Sequence, residues 1–401
     1  VRHRHVARST ARSTVAAVLV ASLAGLVGCS SEQPPVEETT PVTTLESSTS
    51  TSSSPSPTTP PPPPAPADPR ERVPKDLHAK AASLLVVGVT DFDSALRALN
   101  LGVGGVIIPS WADPAIFTEE GRNIHALREI VDRPFTVAID FEGGRVQRHT
   151  NVLGEFPPPR IMAQMTPPEV RGMAFDIGTR LRAQGVTVDY APLLDVDIAG
   201  LEIVGDRSFS HDPQIAADYG IAFAQGLIDA GVTPTFKHFP GHGQASADTH
   251  LDTAVTPPLD TLKDVDLKPY TQAIPAVPQA SVMMGHMIVP GLGDGQTPAT
   301  INPAAYELLR SGNYPGGVPF NGVAVTDDLS GMVAITSRMS TAEAVVATVA
   351  AGADQALWSS GANIEEAIGG LVAAVDSGEV PMSRIDEAAV RVQQQYIDTG
   401  Q

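Results

Sequence analysis

Three histidines, a lysine and an aspartate fall within one short stretch of this chain, Lys237-His238-Phe239-Pro240-Gly241-His242-Gly243 running on to Asp248-Thr249-His250. Packing alone rarely gathers so many groups that ionise or bind ligands. The apolar run Val232-Thr233-Pro234-Thr235-Phe236 leads into them and reads as a buried strand. A second candidate is Thr326-Asp327-Asp328-Leu329, whose two carboxylates follow Val323-Ala324-Val325. One segment offers a proton donor and the other a nucleophile, each at the end of a strand.

Such a pair suits glycoside cleavage with retention of configuration, which needs a carboxylate at the anomeric carbon and a donor at the leaving oxygen. Asp327 is placed to be the nucleophile. Asp328, next in an alternating strand, points elsewhere and takes a helix-capping or supporting role. Most enzymes of this kind use a carboxylic acid as donor, whereas here Asp248-x-His250 supplies a histidine that gives and takes protons near neutral pH. Its aspartate fixes the tautomer and stabilises the charged imidazole. The small residues from Gly241 to Ala247 suit a mobile catalytic loop. Spacing alone serves a solvated surface loop equally well. Lys237, His238, Asp140 and Arg207 are types that hydrogen-bond sugar hydroxyls. A zinc site from His238, His242, His250 and Asp248 is the rival, but Pro240 and Gly241 break the helix on which a His-x3-His pair works. No metal and no cofactor are therefore expected.

These groups need a frame. Buried strands are expected at 83–89, 105–109, 135–140, 187–195, 233–239, 281–290, 322–327 and 355–359, most rich in Val, Ile, Leu or Phe without strict alternation. Helical patterns lie between them, as at 168–184, 213–230 and 341–351, with Gly185 and Gly231 as stops. About eight such units predict a (β/α)8 barrel, TIM-like and forming a single catalytic domain. An open doubly wound sheet is the competitor. The barrel is favoured because Asp140, Asp195, Lys237, His238, His286 and Asp327 all fall at strand ends, where barrels build their sites. No phosphate-cradling glycine loop and no Gly-x-Ser-x-Gly elbow is present.

The rest of the chain bounds its setting. Arg2, Arg4, Arg8 and Arg12 precede the apolar run Val15 to Val27, too short to span a membrane but fitting a secretory leader. Leu26-Val27-Gly28-Cys29 resembles a bacterial lipobox, so residues 1–29 read as a lipoprotein signal peptide with Cys29 lipidated. Cys29 is the one cysteine, which rules out an intramolecular disulfide. Residues 30–69 are rich in Ser, Thr and Pro and read as a disordered stalk. Residues 70–401 read as the catalytic domain. The expected place is the outer face of the cytoplasmic membrane, or cell envelope, held by lipid at Cys29. A formal net charge of −19 argues against nucleic-acid partners.

Taken together these residues resemble glycoside hydrolase family 3, in its β-N-acetylglucosaminidase branch. The resemblance runs from about Leu77 to Tyr396. It rests on Asp140-Phe141-Glu142-Gly143-Gly144-Arg145-Val146-Gln147-Arg148, on Ala191-Pro192-Leu193-Leu194-Asp195, on Arg207-Ser208-Phe209, on Lys237 through His250, and on Thr326-Asp327-Asp328. It implies Asp327 as nucleophile, His250 as acid/base paired with Asp248, and Asp140, Arg148, Arg207, Lys237 and His238 around the non-reducing sugar. The implied partners are N-acetylglucosamine-containing glycans or muropeptides, cleaved without a metal. Two departures stand out. Phe141 occupies a position where a polar residue is common, and is expected to alter the sugar-binding rim. Thr249 stands where serine is common. Phosphate as acceptor, a β-glucoside as substrate, or a non-catalytic lipid-anchored binder of wall sugars are the alternatives.

Overall fold

Ten short strands occur in the computed structural model, which describes residues 68–401. They are β1 (Leu85–Gly88), β2 (Gly105–Ile107), β3 (Thr136–Ile139), β4 (Phe141–Gly143), β5 (Val146–Gln147), β6 (Val188–Asp189), β7 (Thr233–Phe239), β8 (Ser281–Met284), β9 (Ala324–Thr326) and β10 (Ala356–Trp358). All but β4 and β5 run parallel in one eight-stranded sheet, and β10 returns to pair with β1. The β9–β10 seam is carried by the Thr326 amide donating to the Gln355 carbonyl (3.1 Å) and the Leu329 amide donating to the Leu357 carbonyl (2.9 Å). The ring is thus a (β/α)8 barrel, as the spacing of apolar runs predicts. The leader, Cys29 and nearly all of the stalk lie outside the described residues.

Inside the ring, Val86, Ile107, Ala138, Val188, Met283, Val325 and Leu357 meet with Tyr190 in one cluster. Seven strands contribute, so the interior is a packed core and not a channel. Helices pack outside it: Pro167–Ala183 before β6, Pro213–Asp229 before β7 and Thr341–Ala351 before β10, each within a residue or so of its expected bounds. The Glu169 carboxylate accepts from the Thr166 amide at 2.7 Å, fixing where the first begins. Gly185 and Gly231 take φ of 82° and 77°, a turn a side chain would oppose, and end the first two.

The last helix, Met382–Asp398, reaches the opening ends of the strands. The Tyr396 hydroxyl donates to the Gly104 carbonyl at 2.5 Å, and Gln395 donates to Ser281 at 2.8 Å. Nearby, the buried Asp354 pairs with Arg310, Arg384 and Arg391 and accepts from the Ala324 amide. These contacts tie the strand ends away from the candidate site.

Two strands are shorter than expected by six residues or more. Regular pairing in β6 covers only Val188 and Asp189, because Pro192 has no N–H for the ladder. The chain still follows β7, with the Leu194 amide donating to the Lys237 carbonyl at 2.7 Å. β8 stops at Met284, where the chain turns so that the His286 ring lies 2.6 Å from Thr300 and 3.0 Å from the Asp328 carbonyl.

Candidate active site

Just past β3 the chain doubles back as the β4–β5 hairpin, turned by Gly143 and Gly144 at φ of 93° and 58°. The hairpin carries Asp140, Glu142 and Arg148 over the barrel mouth. Arg207 comes from the short turn Gly205–Arg207 after β6. Lys237 and His238 are consecutive in β7, and simple alternation would send them to opposite faces. The β7–β8 register shifts between Phe236 and Phe239, and both side chains reach groups of the site.

Glu142 lies at the centre of the cation network. It is fully buried and accepts from Arg207 through both carboxylate oxygens at 2.7 Å, while Lys237 Nζ lies 2.7 Å from Oε1. Lys237 also donates to Asp140 at 3.2 Å, and Arg148 stands 3.7 Å from the other Asp140 oxygen. Burial alone would raise the Glu142 pKa, but the charges of Arg207 and Lys237 overcome it and hold the carboxyl at about 2. The same attraction outweighs desolvation at Lys237 and raises its pKa, so it stays an ammonium.

Asp327 follows β9 directly and is 13% exposed. Its Oδ1 accepts from the Asp328 amide at 2.8 Å, and Oδ2 stands 3.8 Å from His238 Nε2. The other ring nitrogen, Nδ1, donates to the buried Asp195 at 2.6 Å, which fixes the imidazole plane. Burial pushes the Asp327 carboxyl up, yet His238, His286 and the Asp328 amide bring it down to about 2, so it is ionised at neutral pH. Asp328 takes hydrogen bonds from Ser330 and Ser359, tying the end of β9 to that of β10.

His250 lies on the loop after β7. Its Nδ1 donates to Asp248 at 2.7 Å, and its amide donates to the same oxygen at 2.9 Å. Nε2 is left as the nitrogen free to work. Burial raises the Asp248 pKa and the His250 contacts lower it by more, so this carboxyl too is held charged. A cavity of about 330 Å³ is lined by Asp140, Arg148, Arg207, Lys237, His238, His250 and Asp327 together, with Trp111 exposed on its rim. Of the expected set, Asp248 stands behind His250 off the cavity wall, and Cys29 lies outside the described residues.

Comparison with known proteins gives this site a context. The family described as glycosyl hydrolase family 3 N terminal domain matches residues 77–395. The chain belongs to glycosyl hydrolase family 3. It is therefore a glycoside hydrolase. It is 45% identical over 321 residues to beta-hexosaminidase LpqI of Mycobacterium tuberculosis, covering 78% of this chain and 81% of that protein. The solved LpqI structure superposes with a TM-score of 0.77 at 43% identity, over 82% of this chain and 96% of that one. A family 3 β-N-acetylglucosaminidase from a Paenibacillus species gives 0.73 at 30% identity, over 82% of this chain and 64% of that one.

Against this family 3 background, Phe141 needs correction. It does not shape the sugar-binding rim. It is buried against Phe156, with ring centroids 6.0 Å apart, because the hairpin turns it into the core. Three residues at the centre of the geometry carried no assigned role in the sequence reading: Glu142, Asp195 and Asp266. Glu142 stands two residues after Asp140 on extended backbone, and that spacing is a signal that both face one side. Asp195 was visible as a strand-end carboxylate, but its partner is 43 positions away. Asp266 lies between two helices and carries no local signal.

Proposed function

We propose that this chain is an exo-acting, retaining β-N-acetylglucosaminidase that removes the terminal sugar from N-acetylglucosamine-containing wall glycans or muropeptides. The observation that carries this is the joint presence of Asp327 and His250 on one cavity, each held by its own partner. The names of the similar proteins, beta-hexosaminidase and β-N-acetylglucosaminidase, support the sugar.

In the first step an Asp327 oxygen attacks C1 and the C1–O bond to the leaving group breaks. His250 Nε2 gives its proton to the departing oxygen, and Asp248 steadies the imidazole throughout. In the second step His250 takes a proton from water, the water oxygen bonds to C1, and Asp327 is released. Asp140, Arg148, Arg207, Lys237 and His238 hold the non-reducing sugar, so the network around Glu142 sets the exo mode. Secretion and a lipid on Cys29 would keep this domain outside the cytoplasmic membrane, a reading supported by the Val15–Val27 run and the sequence ahead of Cys29.

The test is kinetic. Asp327→Ala abolishes release of N-acetylglucosamine from an aryl glycoside while the protein stays folded. His250→Ala slows N,N′-diacetylchitobiose, which has a poor leaving group, by about 10²–10⁴-fold and an activated aryl glycoside far less. A fully active Asp327→Ala protein, or equal losses on both substrates for His250→Ala, would overturn the assignment. Running the aryl glucoside in parallel, with and without phosphate, separates the sugar and acceptor alternatives.

A further inference from the structure

The loop from Gly241 to His250 is built mostly of small residues, packs through Ala245 against Ala254 and Met287, and must hold His250 at the leaving oxygen. Its first half is anchored at three places. The His242 amide donates to Asp195 at 2.7 Å. Gly243 lies against Val196 so closely that a Cβ there would stand 1.8 Å from the Val196 carbonyl oxygen. The third anchor is Gln244, whose side-chain amide donates to Asp266 Oδ2 at 2.6 Å.

Asp266 is an unusual anchor. It sits between the helices Leu259–Asp264 and Lys268–Ala276, 1% exposed. Its Oδ1 has no hydrogen-bond partner among the described residues. Gly241, at φ of 136°, presses against it, and a Cβ on Gly241 would come within 2.3 Å of the Asp266 Cβ. A buried carboxyl with one partner is costly to keep unless it does something. The groups facing it are Gln244 from the loop, Asp195 from beyond β6 and Tyr270 from the following helix. Burial, opposed in part by Gln244 and reinforced by Asp195, raises the Asp266 pKa to about 7. Below that pH the group accepts from Gln244 without setting a second negative charge beside Asp195, which is already engaged with His238 and His242.

We propose that Asp266 and Gln244 form a latch that holds the acid/base loop where His250 can reach the leaving group, which makes both of them positioning residues for proton transfer. This rests on the assignment of His250 as acid/base given above.

The experiment measures kcat and KM of Gln244→Ala, Asp266→Ala, the double variant and Asp266→Asn on diacetylchitobiose and on an activated aryl N-acetylglucosaminide, with His250→Ala as reference. Gln244→Ala and Asp266→Ala lose about tenfold or more in kcat on the disaccharide and much less on the aryl substrate, with KM little changed. The double variant is no worse than the poorer single one, because one contact is lost either way. Asp266→Asn, which keeps an acceptor for Gln244, restores most of the disaccharide rate. Equal losses on both substrates, additive losses in the double variant, or no loss in the soluble Gln244→Ala protein would each overturn the latch. If His250→Ala shows the leaving-group split and Gln244→Ala does not, the latch alone falls. If His250→Ala shows no split, the donor assignment falls and the latch with it.

Discussion

Replacing Glu142 by glutamine is the sharpest probe of how this site is built. The side chain keeps its shape, but the charge between Arg207 and Lys237 is gone. Wild type has three contacts of 2.7 Å from these cations to the Glu142 oxygens. In the variant one oxygen is replaced by an NH2 group that faces a cation with a donor. Removing one member of a buried ion cluster costs about 3–5 kcal/mol, because Arg207 stays buried without its carboxylate and Lys237 keeps only the longer contact to Asp140. For a domain of this size that lowers Tm by about 4–7 °C. Arg207 and Lys237 both line the cavity, so the loss also reaches the substrate: KM for the aryl glycoside rises about tenfold or more. The pH dependence supplies an internal control. The native carboxyl titrates at about 2, below the 4.5 of a free glutamate, so its contribution is complete above pH 4.5 and disappears as pH falls toward 2. Differential scanning calorimetry at pH 7 and at lower pH values therefore finds the gap between the two proteins closing only below about pH 4.5. A variant with unchanged Tm and unchanged KM at pH 7 would refute the reasoning, since it would mean that the two cations are held by something else.

Asp354→Asn removes the carboxylate shared by Arg310, Arg384 and Arg391 at the far end of the barrel; thermal denaturation registers a loss of about 3–5 kcal/mol while KM stays at its wild-type value. Dialysis against a chelator leaves activity intact, because among the described residues no three His, Cys, Asp or Glu side chains are grouped so as to hold a metal ion; loss on chelation with rescue by zinc contradicts this. Cys29→Ser shifts the protein from the membrane fraction to the medium of expressing bacteria, and continued membrane association would exclude the lipid as the anchor.

The barrel was legible because parallel strands buried on both faces leave unbroken apolar runs, and all eight runs were found near their true places. Strand ends were legible only roughly. Pro192 and the turn after Met284 shorten regular pairing in ways that a hydropathy pattern does not register. The residues that line the cavity were readable for a related reason: Lys237, His238 and Asp327 each follow an apolar run directly. What could not be read was the pairing behind them. Glu142 meets Arg207 across 65 positions and Asp195 meets His238 across 43, and no local periodicity encodes such contacts. Phe141 shows the opposite error. Its neighbours Asp140 and Glu142 are polar, yet the hairpin turns Phe141 inward against Phe156, off the cavity wall.

The carboxylates of this site divide by what they touch, and that division constrains its pH behaviour. Glu142 and Asp195 stay off the cavity wall and hold a cation or an imidazole that lines it, while Asp327 faces the cavity itself. Glu142 and Asp327 both titrate at about 2, depressed by the positive groups around them. For depressed acids the charged form is complete above pH 4–4.5, so neither of them accounts for a change in activity between pH 5 and 8. Any such change must come from imidazoles or from a carboxyl raised into that range. Asp266 is one such carboxyl, at about 7, and it is tied through Gln244 to the loop that carries His250. Its sign is opposite to that of Glu142. A raised acid favours the folded state most at low pH, and its contribution to stability falls as pH climbs from about 3.8 to 7. Acid therefore weakens the cation network around Glu142 only below about pH 4.5. Alkali works on the proposed Asp266–Gln244 latch near neutrality, so a pH–rate profile and its leaving-group dependence tell the two apart.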